Sequence, residues 1–154
     1  MSSQRPSFTH AWTSFSQVHG SVENVGSVIG GKVKTNIDAG IFTNACAIRM
    51  SYVFNQTGFS IPSNAGAVSS GAKGEKYLFR VSDLSNHIET RFGKPDYVQN
   101  NPNLQQFLGK KGILLFEVSG WNDATGHVTL WNGSTCSDTC YFARATRAKL
   151  WVLP

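Results

Sequence analysis

One cysteine, Cys46, lies near the start of the stretch Asn44–Phe54, which has few polar residues after the cysteine. Asn44 is a suitable helix N-cap and Gly58 a suitable C′ residue, so this stretch is predicted to form a helix with the thiol in its first turn. Unsatisfied backbone N–H groups and the positive end of the helix dipole favour a thiolate there. Cys46 is therefore a candidate nucleophile. The alternative is a small core residue, because free cysteine is among the most buried residue types.

His127 is the candidate that could activate such a thiol. It begins a predicted strand directly after Gly126, and an imidazole there can lie over a neighbouring helix N-terminus and take the thiol proton. An acid bonded to the other ring nitrogen would fix the tautomer. Asp138 and Asp123 both lie nearby; Asp138 is preferred because it follows the strand, whereas Asp123 shares the tight loop before it. A structural, hydrogen-bonded histidine is the alternative.

The other two cysteines, Cys136 and Cys140, lie four residues apart near the end of the chain. A close pair with one remote thiol suggests a local disulfide and a free, reactive cysteine. A disulfide needs an oxidising compartment. The first ten residues, however, lack the apolar segment and cleavage motif of a secretory signal, so we expect synthesis in the cytosol. Cytosolic synthesis and a disulfide conflict unless the protein is exported by another route.

Two further amphipathic helices are predicted, and the first is expected to pack on the core. Ser7 caps the first, whose apolar residues recur at helical spacing: Phe8, Ala11, Trp12, Phe15 and Val18. Ser82 or Asp83 caps the second, whose apolar face is formed by Leu84, Ile88 and Phe92. His87 and Glu89 lie off that face and are expected to contact solvent.

The strands are predicted in the C-terminal part of the chain, at 112–118, 126–132 and 148–153, joined as an antiparallel set. Helices followed by strands are the pattern of an α+β domain. No helix or strand is predicted for residues 22–37, which contain three glycines. Residues 55–76 are predicted to form a long loop and are the candidate substrate-binding rim.

Composition indicates a globular protein whose 154 residues fit a single domain, 1–154, because 40% are hydrophobic and 15% are charged. The net charge of +5 favours anionic partners. Because the basic residues are scattered, we expect no nucleic-acid binding. Because no apolar run approaches the length of a membrane span, we expect no membrane insertion.

Three motifs together resemble one known family. They are Asn44–Ser51 around Cys46, Gly120–His127, and the run from Leu130 that ends in Cys136-x-Asp138-x-Cys140. From about Val28 to its end the chain is similar to the type VI secretion amidase effector family 4. These effectors are in turn similar to papain-like, NlpC-type cell-wall hydrolases.

The resemblance implies a papain-like NlpC-type α+β fold, with N-terminal helices packed on an antiparallel sheet and the nucleophile at the N-terminus of a buried helix. It implies a cysteine amidase that cuts between D-glutamate and meso-diaminopimelate in the stem peptides of Gram-negative peptidoglycan. Position by position, Cys46 is the nucleophile, His127 the general base and Asp138 the orienting acid. Cys136 and Cys140 match the family's disulfide. No cofactor and no metal are implied.

The resemblance also implies partners and a route. A type VI apparatus would deliver the effector from one cytosol into the periplasm of a neighbouring cell, where the disulfide can form. The producer would need a cognate immunity protein that blocks the cleft. Because the chain is basic, we expect that protein to be acidic.

In the expected mechanism, the backbone N–H of Cys46 and a second donor hold the oxyanion.

Two other classes of protein are the alternatives. One is a metal-binding module that uses Cys136, Cys140 and His127, although structural zinc prefers four ligands and a clear fourth is absent. The other is a non-catalytic basic module that binds cell-wall polymer or nucleic acid.

Overall fold

Helices dominate the N-terminal part of the chain and strands the C-terminal part. The computed structural model describes residues 4–118 and 126–154. In these residues the elements are α1 (Phe8–Gln17), α2 (Val22–Ile29), α3 (Gly31–Asp38), α4 (Cys46–Gln56), β1 (Val68–Ser70), β2 (Lys76–Leu78), α5 (Val81–Phe92), β3 (Tyr97–Asn100), a 3₁₀ helix (Leu104–Phe107), β4 (Gly112–Glu117), β5 (Gly126–Trp131) and β6 (Arg147–Val152). None of these helices is long and apolar enough to cross a membrane.

Four strands form one antiparallel sheet in the order β3-β6-β4-β5. The three predicted strands are β4, β5 and β6, and their observed ends differ from the predicted ones by at most one residue. The fourth, β3, was not predicted, since it is short, mostly exposed and lies at the sheet edge. The α+β expectation is confirmed.

The central strand β4 has both faces covered, which explains its uninterrupted apolar sequence. Successive side chains of a strand point to opposite faces. Ile113 and Leu115 accordingly join a cluster with residues of α1, α4 and α5. Leu114 and Phe116 join a second cluster on the other face, which also contains Trp131 and is covered by Phe142.

Helix α4 lies between the sheet and the other helices, and eight of its eleven residues are buried. The predicted buried helix is therefore confirmed. It ends at Gln56, and Thr57 is the C-cap, so Gly58 with φ +89° is the C′ residue as predicted. The predicted cap of α1 is also confirmed, because the Ser7 side chain accepts a hydrogen bond from the backbone N–H of His10.

Two helices, α2 and α3, occupy the region that received no predicted element. Their buried residues, Val25, Ile29, Val33 and Ile37, recur at helical spacing and pack against α4. Gly30 and Gly31 turn the chain between them with φ +69° and +61°. A Cβ on Gly31 would collide with the backbone of Gly71. Tertiary packing thus outweighs the low helix propensity of glycine, which had suggested irregular structure.

Residues 55–76 are not one long loop, because β1 begins within them and pairs with β2 as an antiparallel hairpin. Asn55 anchors the segment at both ends. Its Oδ1 accepts a hydrogen bond from the N–H of Ile61, and its Nδ2 donates one to the carbonyl of Lys76. The expectation of an irregular loop is wrong for this part of the chain.

The start of α5 also differs from the prediction. Its N-cap is Arg80, and Asp83 accepts a hydrogen bond from the backbone N–H of Ala67, 3.1 Å away, on a different segment. The prediction that His87 faces solvent is wrong, since only 9% of this residue is exposed and its ring lies near that of Phe54. The buried face of α5 therefore includes His87 as well as the three apolar residues from which the face was predicted.

We expect Ser51→Ala to lower the free energy of unfolding by about 1–3 kcal/mol, because a buried backbone group loses a hydrogen-bond partner. Ser51 is fully buried, and its Oγ accepts a hydrogen bond from the N–H of Leu78 at 3.0 Å, joining α4 to β2. Urea denaturation measures the change. The control is Ser16→Ala on the exposed side of α1, expected to change stability by less than about 0.5 kcal/mol. Equal stability of the two variants would contradict the assignment.

Candidate active site

Cys46 is the first residue of α4, as predicted, but the cap differs. The N-cap residue is Ala45, whereas Asn44 lies one position earlier. The Oδ1 of Asn44 accepts a hydrogen bond from the backbone N–H of Cys46 at 2.9 Å. This N–H was expected to hold an oxyanion, and in this structure it already has an acceptor.

The thiol of Cys46 lies against strand β5. Its Sγ accepts a hydrogen bond from the N–H of Val128 at 3.0 Å and lies 3.3 Å from the carbonyl oxygen of the same residue. Cys46 is only 2% exposed. The start of α4 is thus fixed next to the residue that follows His127.

His127 and Asp138 form a buried pair. The Nε2 of His127 lies 3.0 Å from Oδ1 of Asp138, and both side chains are largely buried. Burial alone lowers the pKa of His127, but the Cys46 thiolate and Asp138 outweigh it and raise this pKa to about 10. With Nε2–H donated to the carboxylate, Nδ1 is the nitrogen left to exchange a proton with the thiol.

Asp138 is held by more than the histidine. The hydroxyl of Thr129 donates a hydrogen bond to its Oδ1 at 2.6 Å, and the backbone N–H of Thr139 donates another. Burial raises the pKa of Asp138, but the hydrogen bonds from His127, Thr129 and Thr139 bring it below its usual value. Asp138 is therefore an anion oriented towards His127.

Thr129 and Ser137 extend this arrangement and were missed by the sequence analysis. The two hydroxyl oxygens lie 2.9 Å apart, and the Oγ of Ser137 accepts a hydrogen bond from the N–H of Leu130. Thr129 is fully buried. A signal for it existed, because residues two apart on a strand share a face and Thr129 is two after His127.

The two remaining cysteines and one aromatic ring border the pair. Cys136 and Cys140 form a disulfide that spans Asp138. The ring of Tyr141 packs edge-on against His127, with the ring centroids 4.9 Å apart. The residues after β5 thus enclose the carboxylate on one side and the imidazole on the other.

A cleft of about 420 Å³ opens at this position. Its lining includes His127, Asp138 and Tyr141 on the sheet side, and Asn44, Arg49 and His19 on the helical side. Arg49 belongs to α4, and His19 belongs to the turn between α1 and α2. Side chains from both halves of the fold therefore converge on one opening.

Two sequence-based candidates are not part of this geometry. Asp123, the competing acid, lies outside the described residues. The proposed substrate-binding rim at 55–76 contributes Val68, Ser69, Ser70 and Lys76 to a different cavity, beside α3. The disulfide also occupies both sulfurs that the metal-binding alternative would need as thiolates.

Comparison with known proteins identifies the family. A family model described as type VI secretion system amidase effector protein 4 matches residues 42–151. No curated protein matches the chain.

Solved structures of this kind of effector, named Tae4, are similar over almost the whole chain. The effector Tae4 from Enterobacter cloacae is 50% identical, with a TM-score of 0.96 and all of both chains covered. The Tae4–Tai4 effector–immunity complex from Salmonella Typhimurium is 50% identical, with a TM-score of 0.94, covering 98% of this chain and 100% of that one. Tae4 from Salmonella typhimurium bound to the immunity protein Tai4 from Enterobacter cloacae is 48% identical, with a TM-score of 0.95, covering 97% and 100%.

The family match covers well over half of the chain, and the structural matches confirm the α+β, papain-like fold. The cleft described above lies between the helical N-terminal part and the sheet of that fold. The chain belongs to the type VI secretion system amidase effector protein 4 family and is an antibacterial amidase effector.

Proposed function

We propose that this effector is a cysteine DL-endopeptidase that hydrolyses the bond between D-glutamate and meso-diaminopimelate in Gram-negative peptidoglycan stem peptides. The catalytic residues are Cys46, His127 and Asp138, within one domain of residues 1–154. The observation that carries the proposal is the buried pair of His127 and Asp138 next to a thiol at a helix N-terminus. Family membership supports amide hydrolysis, and the resemblance of the sequence motifs to this family implies which bond is cut.

Cys46 and His127 take part in both the formation and the hydrolysis of the thioester intermediate. His127 takes the thiol proton, and the Cys46 thiolate attacks the γ-carbonyl carbon of D-glutamate. The imidazolium then protonates the amine of diaminopimelate as the C–N bond breaks, leaving a thioester on Cys46. His127 next removes a proton from water, which attacks the thioester and releases the γ-carboxylate. Asp138 keeps the imidazole oriented and stabilises its charged form.

Asn44 is the side chain that we assign to the oxyanion. Its Oδ1 is committed to the N–H of Cys46, so the amide orientation is fixed and Nδ2 is the donor that remains. No acceptor lies within hydrogen-bond distance of Nδ2 in residues 4–118 and 126–154. Since Asn44 lines the cleft two residues before the nucleophile, it replaces the Cys46 N–H in the expected mechanism.

The disulfide suits an enzyme that works in the periplasm. By the chain-entropy relation, closing so short a loop stabilises the fold by only about 2 kcal/mol. It also has a local effect, since it restrains the five-residue loop that carries Asp138. Export by the type VI apparatus into the periplasm of a target cell would supply the oxidising compartment.

A cognate immunity protein is the proposed protein partner. The solved complexes of similar effectors contain Tai4 immunity proteins. For this chain we propose an acidic inhibitor that covers the cleft, because the effector has a net charge of +5.

Digestion of Gram-negative sacculi tests the proposed reaction. Wild type is expected to release muropeptide fragments that end at D-glutamate, read by mass spectrometry. Cys46→Ala is expected to lower the rate at least about a thousandfold, because the nucleophile is absent. Circular dichroism and the melting temperature verify that the variant folds. Equal digestion by both proteins would refute the thiol mechanism, and intact sacculi with both, under oxidising conditions, would favour the non-catalytic binding module.

Titration of His127 tests the role of Asp138. Wild-type His127 is expected to stay protonated at pH 7 and to titrate near pH 10, because the thiolate and the carboxylate stabilise the imidazolium. Asp138→Asn removes one of these charges, so the pKa moves down towards 6.5 and kcat falls. NMR of the labelled imidazole measures the shift. Asp38→Asn, at an exposed residue of α3, is the control. An unchanged titration in Asp138→Asn would contradict the pairing.

Replacing Asn44 tests the oxyanion donor. Asn44→Ser is expected to lower kcat about 100-fold or more with little change in KM, since an oxyanion donor acts mainly in the transition state. Asn44 is exposed and lies before the N-cap of α4, so the melting temperature should stay close to that of wild type. Steady-state kinetics on a stem peptide measure both constants. A folded Asn44→Ser variant with wild-type kcat would rule out the donor role.

A further inference from the structure

Arg49 lies one helical turn after Cys46 on α4 and lines the cleft that His127 and Asp138 also line. Residues three apart on a helix are neighbours, with about 5–6 Å between their Cβ atoms. The arginine is half-buried. A permanent positive charge therefore belongs to the helical side of this cleft.

The guanidinium of Arg49 is fixed by neutral acceptors. Its Nε donates a hydrogen bond to the carbonyl of Val18 at 3.0 Å, and its Nη2 donates one to the carbonyl of Gly20 at 2.6 Å. These carbonyls belong to the C-terminal end of α1 and the turn that follows. They orient the planar group without neutralising its charge.

Arg49 has no anionic partner in the described part of the chain. The ion pairs there involve other residues, for example Arg5 with Asp96 and Arg147 with Glu117. Asp138, the acid that lines the cleft, is bonded to His127. The cleft thus offers a cation with unused N–H donors to whatever binds there.

When diaminopimelate is the last residue of the stem, as in a tripeptide, the proposed substrate carries a carboxylate on each side of the scissile amide; in a longer stem the carboxyl on the diaminopimelate side is in amide linkage. One is the α-carboxylate of D-glutamate, and the other lies on the diaminopimelate carbon that bears the scissile nitrogen. Each is a few covalent bonds from the carbonyl carbon that Cys46 attacks, or about 3–6 Å at ordinary bond lengths. This span is comparable to the separation of neighbouring positions on one helix face.

We propose that Arg49 is a specificity-determining residue that binds a carboxylate flanking the scissile amide. This assignment rests on the proposed endopeptidase function. A planar guanidinium matches a carboxylate in shape and charge, and one already oriented loses less freedom on binding. By holding that carboxylate, Arg49 directs the γ-carbonyl carbon towards the thiol.

A purely structural role for Arg49, as a clamp on the turn after α1, makes a different prediction. Its loss would weaken cleavage of every substrate by the same factor. A carboxylate-binding role makes the loss depend on whether the substrate carries the charge. Substrates that differ only in amidation separate the two roles.

The test measures kcat/KM on three stem tripeptides that end at diaminopimelate: one with both carboxylates free, one amidated on the α-carboxyl of D-glutamate, and one amidated on that carboxyl of diaminopimelate. Wild type is expected to prefer the free acid over one amidated peptide by about 10–100-fold. Arg49→Gln, which can still donate to the carbonyls but is neutral, is expected to lose that preference. Arg49→Lys, which keeps the charge, is expected to retain most of it. The amidated peptide that wild type cleaves less well, and for which Arg49→Gln loses this difference, identifies the carboxylate that Arg49 binds.

A preference that is equal in wild type and Arg49→Gln for both amidated peptides would overturn the assignment while leaving the endopeptidase function intact. The same holds if wild type shows no preference at all. Wild type that cleaves none of the three peptides would instead overturn the proposed function, and the assignment with it. Melting temperatures of both variants verify that the turn after α1 is still folded.

Discussion

Burying ionisable side chains is unfavourable unless each charge has a partner, and the buried pair of His127 and Asp138 meets that condition through one connected set of contacts. The sequence of contacts runs from the N–H of Leu130 through Ser137 and Thr129 to Asp138, and from Asp138 to His127. Each member is oriented by the one before it. The imidazole at the end of this set is thereby given one tautomer and one direction, which it could not keep as an isolated side chain in the same position.

The rest of the fold maintains this set. Strand β5 pairs with β4 along its whole length, so the alternation of its residues is fixed, and the side chains of His127 and Thr129 share a face. The backbone of Val128 contacts the thiol at the start of α4. Packing of α4 between the other helices and the sheet holds that contact, and the disulfide restrains the loop of Asp138. Apolar packing thus holds this small set of polar groups in fixed relative positions.

Much of this could be predicted from the sequence, and the failures have physical causes. The strands β4, β5 and β6 and the buried helix after Cys46 have strong local patterns. Helices α2 and α3 do not, because their glycines lower helix propensity and their stability comes from packing on α4. The burial of His87 and the contact between Asp83 and Ala67 depend on segments far apart in sequence. Thr129 was missed because its hydroxyl lies in a largely apolar strand, and its role as a hydrogen-bond donor depends on Asp138, which follows the strand and lies beside it in the fold.

The hydrogen bond from the N–H of Val128 to the Sγ of Cys46 places a backbone donor against the atom on which a thiolate carries its charge. The imidazolium of His127 stabilises the same charge, and His127 and Val128 are consecutive residues of β5. Both contributions therefore depend on the register of one strand. A shift of β5 by one residue against β4 would remove them together, because it would turn the side chain of His127 to the other face of the sheet.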